Sequence, residues 1–121
     1  MSWAHVYLIY TFMIVYLISS EINGNTLYKI GYTRRKIEKR IKEFKTGNAS
    51  DFRVIDTYES IWSTKIEASL HHYFASKKVS GEWFDLTNDD IINFKKLCET
   101  TNNSLELLSK TNTYIIDRGG F

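Results

Sequence analysis

The sequence predicts a mixed α/β (α+β) domain, and three observations predict it. An Asn-Gly pair, Asn23-Gly24, separates two β-rich runs, FMIVYLIS and TLYKIGYT. A third alternating run, FRVIDTY at 52–58, lies downstream. Around and after it, apolar residues recur at helical spacing, as in Ile37–Ile41–Phe44 and Trp62–Ile66–Leu70. At 121 residues the chain has room for one domain and a modest core.

The first strand spans 12–19 and is apolar without alternation, as a central strand buried on both faces requires. It belongs to a longer apolar run, Ala4 to Ile18, that resembles a membrane anchor in composition. A spanning helix needs roughly 20 residues, and no Lys or Arg precedes the run as a signal sequence would have. Its Val, Ile, Tyr and Phe suit a strand. Residues 1–11 are available for an extra N-terminal edge strand. Asn-Gly tolerates positive φ at both positions, so 26–33 returns as the antiparallel partner. Alternation there puts Tyr28, Ile30 and Tyr32 on one face and Lys29 and Gly31 on the other.

Thr33 is placed to cap a helix over 34–45. Ile37, Ile41 and Phe44 form its apolar stripe, and Arg40 falls at the stripe's border. Lys39 and Lys42 point into water. Gly47 stops the helix, with Asn48 in the loop that follows. A second helix runs over 61–75, with Trp62, Ile66, Leu70, Tyr73 and Phe74 inward and Glu67 and His71 together on a neighbouring face. GEWFDL, 81–86, reads as a turn or short extended piece in which Glu82 and Trp83 determine the fold. A third helix covers 87–98, with Thr87 and Asp90 at capping-box spacing. After Glu99 the chain is polar, with a short helical patch at Leu105, Leu107 and Leu108 and a strand-like TYIID near the end.

A net charge of +2 does not by itself imply nucleic acid, but the basic residues concentrate in RRKIEKRIK, 34–42. The single cysteine, Cys98, excludes an internal disulfide and a cysteine-based zinc site, and fits a reducing, intracellular setting. No His, Cys or Asp cluster has zinc spacing, and no glycine-rich phosphate loop is present.

Four features carry chemistry: Tyr16 in mid-strand, Lys29 beside Gly31, Arg40 at the helix border, and Glu67 with His71 one turn on. Their order resembles the GIY-YIG nucleases. Four blocks, KIGYT, KRIKEFKTGN, EASLHHYF and GEWFDL, resemble more closely the subgroup named after a phage T5 reading frame, also called the meiotically up-regulated gene 113 group. The likeness covers 12–98, leaving 1–11 and 99–121 as extensions. It implies a central three-stranded antiparallel sheet flanked by helices, and Mg²⁺- or Mn²⁺-dependent hydrolysis of a DNA phosphodiester.

By the same resemblance Tyr16 helps activate the attacking water, Arg40 neutralises the scissile phosphate and Glu67 binds the metal. The chemistry suits these types. A fixed guanidinium stabilises a pentacovalent phosphate. Mg²⁺ accepts one carboxylate plus substrate oxygens. A phenol, with a pKa of about 10, acts as a base only beside positive charge, which Lys29 is placed to supply. Ile14 or Val15 stands where the first motif has glycine, and Lys29 where the second has tyrosine. Lys29 would face the scissile phosphate, with Gly31 leaving room for the DNA backbone. His71 is either a proton-transfer group or a partly buried histidine bonded to backbone.

The expected function is a DNA endonuclease, with Arg34, Arg35, Lys36 and Lys39 gripping phosphates. Specificity is expected to be low, structure-based, or supplied by a homodimer or recruiting partner. The alternative is a non-catalytic nucleic-acid-binding module on the same fold. The presence of Tyr16, Arg40 and Glu67 argues against it, since binding alone needs no metal carboxylate. No membrane is expected as a partner.

Overall fold

The computed structural model describes residues 13–44 and 52–111. The expectations for residues 1–12, for Gly47 and Asn48, for the Phe44 side chain and for TYIID fall outside the described parts. The described residues form a five-stranded sheet in the order β3-β1-β2-β5-β4. Its strands are β1 (Ile14–Ile22), β2 (Asn25–Thr33), β3 (Arg53–Glu59), β4 (Lys78–Ser80) and β5 (Trp83–Phe84). Four helices accompany it: α1 (Ile37–Phe44), α2 (Ser63–Tyr73), α3 (Asn88–Ile92) and α4 (Phe94–Thr111). The three expected strands are contiguous, and β5 and β4 extend the sheet beyond β2. β5 lies within the turn or short extended piece expected over 81–86, whereas β4 escapes sequence reading because three residues are too few to show a period.

β1 is an interior strand, between β3 and β2, and is buried from Val15 through Ser20, as its apolar run through Ile18 requires. The hairpin turn has Asn23 at φ 53° and Gly24 at φ 81°, the pair of positive angles that a two-residue turn of this hand needs. That turn fixes the register: Tyr16 opposite Gly31, Leu17 opposite Ile30 and Ile18 opposite Lys29. On the other side β1 pairs with β3, with a register shift between Leu17 and Ile18.

One sheet face carries the main core. Val15, Leu17 and Ile30 pack there with Ile66, Leu70, Phe74, Phe84, Phe94 and Cys98. Each of the Val, Leu, Ile and Phe side chains contributes roughly 1.5–3 kcal/mol on burial. In α2 the inward stripe is Ile66, Leu70 and Phe74, at intervals of four. Tyr73, expected inside, is 64% exposed and sets its ring edge-on against Phe74. The helix ends at Tyr73, so Phe74 and not Tyr73 continues the buried row.

Three helices differ from expectation in their bounds. α2 runs only over Ser63–Tyr73, within the 61–75 expected, and a single 3-10 turn, Ala75–Lys77, follows it. α1 begins at Ile37, not at 34. The Thr33 hydroxyl accepts from the Arg35 N–H at 3.0 Å, a local turn, and the first helical bonds run to the Lys36 carbonyl. The helix expected over 87–98 is two helices broken at Asn93. Thr87 and Asp90 do form the capping box of α3. At Asn93 the side-chain amide donates to the Asp89 carbonyl, α3 stops, and Phe94 turns inward to begin α4.

α4 then crosses position 98 and continues to Thr111. Its polar side chains are satisfied in two ways. Thr101, Ser104, Ser109 and Thr111 donate back to carbonyls of the preceding turn. Asn102 and Glu106 anchor it, accepting from Ser60 Oγ at 2.5 Å and Trp62 Nε1 at 2.7 Å.

Burial pushes the Cys98 thiol up to about 12, and the residue has no exposed surface. A buried neutral thiol is inert. Native protein should therefore resist a thiol reagent at pH 8, and one thiol per chain should titrate in denaturant. Rapid labelling of the native chain would contradict the core as described.

Candidate active site

The site grows from a gap in the sheet. β5 pairs with β2 only at Tyr28 and Lys29, so from Ile30 onward the outer edge of β2 has no strand partner among the described residues. The Ile30 backbone is satisfied otherwise. Its N–H donates to the Glu82 carbonyl at 3.3 Å, and its carbonyl lies 2.8 Å from His71 Nε2. A carbonyl only accepts, so Nε2 carries the proton there. His71 is thus bonded to backbone, the second of its two expected roles, and its ring stands edge-on to Phe84. Glu67, one turn earlier on α2, is brought to the same edge, 3.9 Å from His71 Nε2.

Tyr16 comes from the opposite sheet face. Its ring lies over Gly31, where a Cβ would sit 2.5 Å from Tyr16 Cζ and closer still to the hydroxyl. The space beside Gly31 therefore belongs to the tyrosine. This corrects the expectation that it stands open to DNA. The Arg40 guanidinium donates to the Tyr16 hydroxyl. Burial raises the phenol above its usual pKa, and Arg40 opposes this without prevailing. Tyr16 is thus a neutral phenol at neutral pH. The cation that touches it is Arg40, not Lys29.

Arg40 is half-buried at the border of the α1 stripe, as its spacing implies. Its Nη1 also meets Glu43 Oε2 at 2.8 Å, and Arg35 pairs with the other Glu43 oxygen. One carboxylate thus holds two arginines toward the cleft. Lys29 points across β2 to Glu82, with Nζ 3.0 Å from Oε2, and lies 5.9 Å from the Trp83 ring centre.

Burial lifts the Glu67 carboxyl above the usual carboxylate range. His71 and Lys29 pull it down, and Glu82 pushes it up. One ligand-type atom each of Glu67, His71 and Glu82 lies within 4.8 Å of the other two.

A cleft of about 380 Å³ gathers Tyr16, Arg40 and Glu67 with Glu82, Arg34 and Arg35. Lys29 and His71 flank it through their contacts with Glu82 and Glu67. Lys36 and Lys39 are exposed and lie outside its lining. Sequence reasoning assigned Glu82 to the fold alone. Its carbonyl does serve the fold, but its carboxylate enters the cleft. No local pattern signals that, because the β2–β5 pairing brings it there.

Fold and cleft together define a small α/β domain with a charged cleft at the edge of its sheet. The T5orf172 domain model matches residues 13–99, and the chain belongs to that family of nuclease-like, DNA-binding domains. No curated protein and no solved structure matches the chain. Among the described residues no helix is long and apolar enough to cross a membrane, and residues 14–18 of the apolar run form part of β1.

Two outcomes test this geometry. Gly31→Ala forces the buried tyrosine to move and should cost about 1–3 kcal/mol by overpacking. A wild-type melting temperature would contradict the contact. Glu67 has its folded pKa raised, so its contribution to stability is present below the unfolded value and lost as pH rises through the folded one. Glu67→Gln should therefore melt higher than wild type at pH 7, with the gain vanishing near pH 4. A pH-independent difference would count against it.

Proposed function

We propose that this domain is a divalent-metal-dependent DNA endonuclease that hydrolyses phosphodiester bonds with Mg²⁺ or Mn²⁺. One observation carries the reading. Tyr16, Arg40 and Glu67, from β1, α1 and α2, share a single cleft edged by Arg34 and Arg35. Binding alone would not require a half-buried carboxylate beside a tyrosine–arginine pair.

The donor chemistry fits a hard cation. Glu67 offers carboxylate oxygen in a site where burial makes its charge costly, so positive charge is favoured there. A bound cation would supply Lewis-acid polarisation of the phosphate. Everything else falls to the chain. Arg40, preset by Glu43 and Tyr16, meets the charge that develops on the phosphate. Tyr16, a neutral phenol, holds the attacking water at its hydroxyl, and Arg40 fixes that hydroxyl in place. Lys29 supplies further positive charge beside the cleft. His71 acts on the frame, fixing the β2 edge that faces Glu67. Arg34, Arg35, Lys36 and Lys39 hold flanking phosphates.

The test is cleavage of supercoiled plasmid and of branched DNA. Mg²⁺ or Mn²⁺ should support nicking and EDTA should abolish it. Arg40→Ala and Glu67→Ala should each lose about 10²–10³-fold in rate, the usual cost of one charge-stabilising group. DNA binding without cutting on any substrate would overturn the enzyme and leave a binding module. Affinity should fall steeply with salt, and Arg34→Ala or Lys39→Ala should each lower the log–log slope by about one. Salt-insensitive binding would contradict the phosphate contacts.

A further inference from the structure

We propose that Glu82 is a second metal-ligating carboxylate. In this assignment Glu67 and Glu82 hold one divalent cation between α2 and the turn into β5, and Lys29 is the resident counter-charge that the cation displaces. The proposal rests on the metal-dependent reading of the cleft and adds a ligand to it.

The spacing suits a shared ion. Glu67, His71 and Glu82 bring ligand-type atoms within 4.8 Å of one another. Oxygens on opposite sides of one hard cation lie roughly 4–5 Å apart, given bonds of about 2.0–2.6 Å. Of the three, His71 is already committed, because its Nε2 proton is bonded to the Ile30 carbonyl at 2.8 Å. Two carboxylates remain, and an all-oxygen donor set suits Mg²⁺ or Mn²⁺ rather than zinc.

Glu82 is also held in place. Gly81 takes φ 54°, and the Glu82 carbonyl accepts from the Ile30 N–H. The backbone is thus pinned to the edge of β2 from which His71 also hangs. The Glu82 side chain is 42% exposed, open to the cleft and able to adjust.

Lys29 explains how two carboxylates share this space before a cation arrives. Its Nζ lies 3.0 Å from Glu82 Oε2, and its side chain is 16% exposed. A like-charged pair this close repels, and the ammonium offsets that. A divalent ion on Glu67 and Glu82 replaces this single charge with two and sets the ammonium free. Lys29 sits on the sheet face of Gly31, over which Tyr16 packs, so the released ammonium stays beside the reacting end of the cleft. The lysine in the motif's tyrosine position and the carboxylate in GEWF therefore act as a pair.

The experiment is Mn²⁺ titration of the full chain without DNA, read from the free-ion electron paramagnetic resonance signal, with circular dichroism to confirm folding. Wild type should bind one Mn²⁺ per chain. Glu67→Gln and Glu82→Gln should each weaken binding at least tenfold. Lys29→Met should tighten it several-fold, because the competing cation is gone. Wild-type affinity in Glu82→Gln would overturn the assignment, as would weaker binding in Lys29→Met. The lysine variant keeps the test decisive if Glu82→Gln fails to fold. Plasmid cutting run in parallel separates the two readings. EDTA-sensitive cutting with undiminished Mn²⁺ binding in Glu82→Gln removes the second ligand and keeps the nuclease. Mn²⁺ bound through both carboxylates in a chain that never cuts removes the nuclease and keeps the site.

Discussion

The Tyr16 ring lies where residue 31 has no side chain, and the rest of the site depends on that contact. It exists because a two-residue turn at Asn23-Gly24 admits one register. Seven residues back from the turn is a tyrosine, and seven forward is a glycine. Any larger residue at 31 would push the phenol off the sheet and away from Arg40. Any one-residue slip would exchange the two faces, sending Tyr16 into the main core and Leu17 out to the cleft. The hydroxyl is thus aimed by packing that was settled when the hairpin formed.

Around that contact the charges are arranged before any ligand arrives. Two arginines meet one carboxylate at Glu43, and one lysine meets another at Glu82. Each group is held by a partner of opposite sign in a partly buried setting, where interactions are stronger than in water. Glu67 is the exception, since burial works against its charge more than its neighbours support it. Such an imbalance marks the place where external positive charge is most favourable. The gap beside the short β5 keeps that place open, while His71 and the Glu82 carbonyl satisfy the exposed backbone that the gap creates.

Much of this was legible in the sequence, unevenly and for identifiable reasons. Asn23-Gly24 and the unbroken run through Val15–Ile18 announced the hairpin, because turn angles and burial act locally. Arg40 at the edge of Ile37 and Ile41 followed from helical spacing. Lys29 and Gly31 were seen to share a face. The tenant of the space at Gly31 was misassigned, because alternation gives a face but not what packs on it. The same limit hid Glu82, whose carboxylate reaches the cleft through a pairing of two short strands 54 positions apart between Lys29 and Trp83. The break at Asn93 was hidden too, since apolar spacing continues through it and a side-chain bond to Asp89 decides the matter. The long reach of α4 depends on Ser60 and Trp62, which lie some 40 residues from the groups they bind. The convergence of Tyr16, Arg40 and Glu67 could be read only from family resemblance, because no local period relates three separate elements.

The most direct measurement is a crystal structure of the wild-type chain bound to a short DNA duplex, with Ca²⁺ in place of Mg²⁺ to hold back cutting. The account predicts a backbone phosphate in the cleft within hydrogen-bond reach of Arg40, and a cation between that phosphate and Glu67. DNA bound along another surface, with no phosphate or cation in the cleft, would contradict it.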